Sequence, residues 1–127
     1  GVLPSIVVAQ AIHESGWGKN RIGNNLFGIK AGGNWKGAAR TVGTHEYVNG
    51  KRVNVNAAFR DYGSVADSVS DHGRLLAGSR YKSVVQARDY KAAARALASS
   101  GYATDPKYAQ KIIRIIETYG LDELDRA

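Results

Sequence analysis

Asn49-Gly50 lies between two runs rich in β-branched and aromatic residues, and that pair is the strongest short-range signal for a two-residue type I′ hairpin turn. The spacing predicts a hairpin within residues 41–62. So tight a turn also dictates the pairing. Val48 faces Lys51, Glu46 faces Val53, Thr44 faces Val55 and Val42 faces Ala57, and alternation puts all of them on one side of the ribbon. His45, Tyr47, Arg52, Asn54 and Asn56 take the other side. Glu46 therefore sits on the more apolar face, beside Val53. Two explanations remain open: a salt bridge to a nearby arginine, or a carboxylate held there for chemistry.

The remaining strong signals are helical. Pro4-Ser5 opens the apolar run Ile6-Val7-Val8-Ala9-Gln10-Ala11-Ile12, and Gly16 and Gly18 close it. Glu14 falls in the last turn, where the negative end of the helix dipole and apolar neighbours both disfavour its ionised form. With Trp17 able to cover it, Glu14 has the character of a general acid protonated near neutral pH; the alternative is a glutamate frayed into solvent. Ser64 and Asp67 form a variant capping box for a helix over residues 65–76, with Gly78 just beyond. An alanine-rich helix is expected over residues 90–98, stopped by Ser99-Ser100-Gly101. Asp105-Pro106 is an N-cap and N1 pair for a last helix that carries Tyr108, Ile112, Ile115, Ile116 and Tyr119 on one face, with Gly120 as its C′ residue. The ring of Tyr108 should be buried while its hydroxyl finds a partner.

Between the first helix and the hairpin, residues 19–40 are rich in Gly and Asn and read as a long ordered loop. Leu26, Phe27 and Ile29 are expected to fill the core. Trp35 has two readings, as a core filler or as a cleft wall that stacks on a sugar. The predicted order is helix, loop, hairpin and three helices, an α+β chain that is mainly helical.

At 127 residues, with 43% hydrophobic and 23% charged residues, the chain suits one domain with a modest core. No apolar run approaches the roughly 20 residues that span a bilayer, so membrane insertion is not expected. The chain starts almost inside its first helix and has no leader, which suggests a single domain over residues 1–127 cut from a longer protein. The absence of cysteine excludes a thiolate metal site and a cysteine hydrolase. A net charge of +7 favours anionic partners such as nucleic acid, an acidic membrane surface or a cell-wall polymer. The cations are scattered, however, and no nucleic-acid-reading motif is present. His13, His45 and His72 lack metal-ligand spacing, and no GxSxG, P-loop or GxGxxG occurs. No metal or cofactor is implied. Glu14 and Glu46 remain, two carboxylates in different environments, which is the minimum set for cleaving a glycosidic bond.

The segments QAIHESGWGKN, NNLFGIK, THEYVNGK, FRDYGSVADSVSDHGRLL and GYATDPKYAQKI, in this order from about Leu3 to Leu121, resemble the bacterial peptidoglycan hydrolases of glycoside hydrolase family seventy-three. Within that family the likeness is greatest to the hydrolase domains that serve flagellar rod assembly. The resemblance implies a lysozyme-like fold, with a helical lobe, a small β-hairpin lobe and a cleft between them. It also implies endo-N-acetylglucosaminidase activity on the β-1,4 bonds of peptidoglycan glycan strands. The family's general-acid glutamate falls on Glu14 and its hairpin carboxylate on Glu46. Its active-site tyrosine falls on Tyr108, with Tyr102 as the other match, and its hydroxyl is expected to hold the N-acetyl group or the attacking water. Trp17, Trp35 and Tyr102 are expected to line the sugar groove. His13 departs from the small or apolar residue expected before the glutamate, and either faces the cleft or packs away from it. The resemblance further implies a periplasmic setting and contact with flagellar rod proteins through a missing domain. The alternatives are a lytic transglycosylase or muramidase, a non-catalytic glycan-binding module, and a structural flagellar component.

Overall fold

Helix α1 (Pro4–Ser15) is the axis of the helical lobe. The computed structural model describes residues 1–126. Pro4 sets the first turn of α1, and Gly16 ends it in the left-handed conformation (φ 55°). The free N–H groups at its start are met from the far end of the chain. Asp125 accepts hydrogen bonds from Ser5 N (2.9 Å) and Ser5 Oγ (2.5 Å), which puts a carboxylate at the positive end of the helix dipole.

The hairpin has the expected register throughout. Strand β1 (Ala39–Val48) pairs antiparallel with β2 (Lys51–Arg60), including Val48 with Lys51, Glu46 with Val53 and Val42 with Ala57. Asn49 and Gly50 both have positive φ (51° and 78°), as a type I′ turn requires. The Asn- and Gly-rich loop runs beside β2, where Arg60 N donates to Ile29 O (3.0 Å) and Ala31 N to Ala58 O (2.9 Å). Asn25 holds this loop in shape: its side-chain amide donates to Ile29 O and Arg60 O, and its Oδ1 accepts from Ile29 N.

Helix α2 (Val65–Leu76) starts at Ser64, whose Oγ accepts from Asp67 N (3.1 Å). The three helices expected after the hairpin become four. A 3-10 turn (Ser79–Tyr81) leads into a five-residue helix α3 (Lys82–Gln86), which buries Tyr81 and Val84 against the core. No glycine or proline within residues 79–86 marks this segment, and its short apolar pattern is too brief for periodicity to register. Helix α4 (Tyr90–Ser99) is capped by Asp89, which accepts from Ala92 N (2.8 Å). Helix α5 (Tyr108–Tyr119) starts two residues later than Pro106 suggests. Asp105 still caps this entry by accepting from Lys107 N (2.8 Å) and engages Lys111 through its other oxygen. Residues 106–107 form a turn that precedes the regular helix. A second 3-10 segment (Leu121–Arg126) ends the described chain.

Ile6 and Ala9 of α1, Leu97 of α4, and Ile112 and Ile116 of α5 form one fully buried cluster with Leu76 and Val84. Each large aliphatic residue there contributes roughly 1.5–3 kcal/mol by leaving water. The hairpin stands off this core and is braced to it at its base. Asp71 of α2 accepts from Arg60 Nη1 (2.7 Å) and from Tyr62 Oη (2.5 Å). The result is a helical lobe and a hairpin lobe with a cleft between them.

Candidate active site

The cleft is lined by the end of α1, the Phe27–Lys30 loop, the hairpin, the stretch from Gly101 into α5, and Leu75 of α2 with the Arg80–Tyr81 turn. The cavity they enclose is about 470 Å³. Glu14 lies at its floor in the last turn of α1. Burial, reinforced by the negative charge of Glu46, raises its pKa from 4.5 to about 7. The Tyr108 hydroxyl and Lys30 pull in the opposite direction and do not reverse the shift. The backbone of the facing loop comes so close that a Cβ added at Gly28 (φ 61°) would lie 3.2 Å from Glu14 Oε2.

Glu46 stands in a different environment. One carboxylate oxygen is paired with Lys30 Nζ, and the other accepts from Thr104 Oγ1 at 2.6 Å. Burial alone would raise its pKa, but the Lys30 and Thr104 hydrogen bonds and the Lys30 charge together bring it below the ordinary carboxylate value. The cleft thus holds one carboxyl that keeps its proton to about neutral pH and one that stays ionised. Of the two explanations for Glu46, the ion pair is present, to Lys30 rather than to an arginine, and the carboxylate lines the cleft.

Tyr108 is 1% exposed, and its hydroxyl accepts from Gln10 Nε2 (2.9 Å) while facing the Glu14 carboxyl. Its protein partner is Gln10, and its own proton remains free for another group. Tyr102 also lines the cleft, with its ring stacked on Tyr108 (centroids 5.8 Å apart). Its hydroxyl is buried and has no hydrogen-bond partner among the described residues. His13 faces the cleft too, edge-on to the Tyr108 ring at 5.6 Å, and burial lowers its pKa.

The two tryptophans are not brought to this cleft. Trp17 adopts a positive φ (60°), is 58% exposed, and meets Tyr119 edge-on at 4.9 Å. It does not cover Glu14. Trp35 lies under the guanidinium of Arg60 (4.7 Å to the ring centroid), edge-on to Tyr62, and donates from Nε1 to Ala38 O (2.9 Å). It braces the base of the hairpin. Lys30 and Thr104, which hold Glu46, carry no motif in the sequence that marks them for this task. Among the described residues, no group of three or more His, Asp or Glu side chains is placed to hold a metal ion. Among the described residues, no helix is long and apolar enough to cross a membrane.

Comparison with known proteins identifies the family. The glucosaminidase family, described as mannosyl-glycoprotein endo-beta-N-acetylglucosaminidase, matches residues 1–121. The exo-glucosaminidase LytG of Bacillus subtilis is 49% identical, over 98% of this chain and 46% of its own length. The peptidoglycan hydrolase FlgJ of Escherichia coli is 43% identical, over 92% of this chain and 40% of its own. This chain thus spans less than half the length of these two relatives. A crystal structure of a peptidoglycan hydrolase mutant from a Sphingomonas species superposes with a TM-score of 0.85 at 42% identity, covering 94% of this chain and 82% of that one. With a family match over nearly its whole length and two glutamates in contrasting environments across one cleft, the chain belongs to the glucosaminidase family of glycoside hydrolases.

Proposed function

We propose that this domain hydrolyses the β-1,4 glycosidic bonds of peptidoglycan glycan strands as an endo-N-acetylglucosaminidase. The observation that carries this reading is the split between the two carboxyls that line one cleft: Glu14 with its pKa raised to about 7 and Glu46 with its pKa lowered. Glu14 is the general acid that protonates the departing glycosidic oxygen. Glu46, kept ionised by Lys30 and Thr104, stabilises positive charge on the sugar ring or receives a proton from the attacking water. Tyr108 donates to the carboxylate that Glu14 becomes, and Tyr102 forms part of the groove wall. Family membership and the likeness to peptidoglycan hydrolases support the choice of glycan.

By the same likeness, the substrate lies outside the cytoplasmic membrane and the protein works in the periplasm, on wall that a flagellar rod must cross. A flagellar partner would bind through a part of the longer protein outside this domain. The likeness to LytG supports wall hydrolysis without specifying that setting.

A second reading follows from the engagement of both Glu46 oxygens. A lytic transglycosylase needs no second carboxylate to activate water, and it leaves an anhydro-sugar one water lighter than the hydrolysis product. Digestion of purified peptidoglycan by the wild type and by Glu14→Gln, with product masses and reducing ends determined, tests both. Hydrolysis predicts reducing N-acetylglucosamine ends and a loss of at least about a hundredfold in Glu14→Gln. Anhydromuramic ends would assign the chain to transglycosylation, and undiminished cleavage by Glu14→Gln would remove Glu14 from the chemistry.

A further inference from the structure

Behind the cleft, a line of buried polar groups leads away from Glu14. Gln10, fully buried in α1, donates from Nε2 to Tyr108 Oη (2.9 Å), and its Oε1 lies 2.8 Å from His72 Nε2. His72, 1% exposed on α2, is clamped in place by aromatic rings. Phe27 stacks flat against it at 3.8 Å, and Tyr102 meets it edge-on at 6.4 Å. Three polar side chains from three helices are thus placed in series inside the helical lobe. Neither Gln10 nor His72 lines up with the roles of Glu14, Glu46 and Tyr108.

The direction of this series matters. A carboxamide oxygen only accepts, so Gln10 in this orientation requires a proton on His72 Nε2. Gln10 Nε2 then donates to Tyr108, which leaves the phenolic proton free to point at Glu14. The other histidine tautomer reverses every link: Gln10 turns over, its oxygen takes the Tyr108 proton, and Glu14 loses a donor. We propose that Gln10 and His72 are positioning residues that set the polarity of this series, so that the Tyr108 hydroxyl is held as a donor to Glu14. The inference rests on the general-acid role of Glu14. It adds a reason why the carboxylate left after proton transfer is stabilised in a buried place.

Burial keeps His72 neutral, with its pKa lowered to about 4, so its single N–H is maintained across the working pH range. Asp71 is the charged neighbour that acts on it. The groups that face Glu14 are Glu46 from β1, Lys30 from the preceding loop, and Tyr108 and Tyr102 from the α5 side. Among these, only Tyr108 is oriented by the series.

The first test is nitrogen NMR of the imidazole of His72 in the wild-type domain, which needs no variant to fold. A proton on Nε2 is expected, and a proton on Nδ1 would overturn the proposal. The second test is the pH dependence of kcat/KM for His72→Phe and Gln10→Met, which keep shape and remove the polar links. In His72→Phe, Gln10 is free to turn over and take the Tyr108 proton. Loss of that donor raises the pKa of Glu14, so the alkaline limb moves up by about one pH unit, the scale of one charge-assisted hydrogen bond. Gln10→Met leaves no group to take the proton, and its limb stays near that of the wild type. For His72→Phe we expect kcat to fall about tenfold with KM within about twofold, and adding Gln10→Met should relieve most of that loss, because Gln10 is the group that diverts the Tyr108 proton. His72→Gln, which keeps a donor near the Nε2 position, restores the wild-type limb. A folded His72→Phe with an unmoved alkaline limb would reduce the series to packing. Wild-type activity in Glu14→Gln would instead defeat the general-acid role, and the tautomer measurement would still decide the polarity.

Discussion

Glu46 on the hairpin and Thr104 before α5 are joined by a 2.6 Å hydrogen bond that spans the cleft, although 58 residues separate them in the chain. The same Thr104 Oγ1 accepts from Tyr47 N at 3.1 Å. One hydroxyl therefore ties both a cleft carboxylate and the hairpin backbone to the helical lobe. Thr104→Val removes both links with little change in shape. A neutral or charge-assisted link of this kind is worth about 1–2 kcal/mol, so hydrogen exchange at the Tyr47 amide should quicken about tenfold. A drop of about three- to tenfold in kcat/KM should accompany it as Glu46 loses its fixed position. Unchanged exchange at Tyr47 would mean that the hairpin is held by its other contacts.

Under the proposed roles, the two carboxyls set the pH profile. Glu14 must be protonated to act as an acid, so activity falls as pH rises through about 7. Glu46 must be ionised, and its pKa lies below the ordinary 4.5, so the acid limb lies lower still. Lys30 lowers both pKa values. Lys30→Met should therefore move both limbs to higher pH, which is a shift of the whole bell and separates Lys30 from a residue that only binds glycan. The full pH–rate profile of the variant checks this. A change in height without a shift would count against it.

What was legible in the sequence is what local chemistry decides. Asn49-Gly50 admits one tight turn, so the register, and with it the face of Glu46, followed from two residues. Gly16 closes α1 wherever its neighbours pack, so Glu14 had to lie in the last turn. The partners of these residues are another matter. Lys30 and Thr104 reach Glu46 from 16 and 58 residues away, and Gln10 meets His72 across 62. Spacing carries no information about such pairs. The tryptophans were misplaced for a related reason. An aromatic ring beside a site motif is as well satisfied by another ring or a guanidinium, and the positive φ of Trp17 turns it toward Tyr119. Family resemblance pointed to Glu14, Glu46 and Tyr108, which the fold brings to one cleft, but it carried no hint that Gln10 holds the Tyr108 hydroxyl.

Gly28 has two reasons to lack a side chain. Its φ of 61° is strained for any L-residue, and an added Cβ would press on Glu14 Oε2 at 3.2 Å. Gly28→Ala should cost about 1–2 kcal/mol of stability from backbone strain alone. The displaced Glu14 should add a loss of activity larger than the stability change explains. Gly33 serves as the control. It has a similar φ of 53° with nothing within 4 Å of an added Cβ, so Gly33→Ala should lose stability and keep activity. Equal activity losses at the two positions would show that only strain matters.

The raised pKa of Glu14 is also a statement about folding. In the unfolded chain this carboxyl titrates near 4.5, and in the folded protein near 7. The folded state therefore binds the proton more tightly. The stability linked to Glu14 is fully present below about pH 4.5 and is lost as pH rises through about 7. At about 1.4 kcal/mol per pH unit, the ionised carboxylate costs the fold up to about 3 kcal/mol in alkaline solution. Glu14→Gln removes that ionisation, so it should be more stable than the wild type at pH 9. At pH 4 the two should be nearly equal. Thermal unfolding at both pH values measures this directly, and the gain at pH 9 should coincide with loss of glycan cleavage. A general acid held against its preferred charge state would thus weaken the fold it belongs to, and the same substitution would report both roles. Equal melting temperatures at pH 9 would mean that the Tyr108 hydroxyl and Lys30 already compensate for the buried charge.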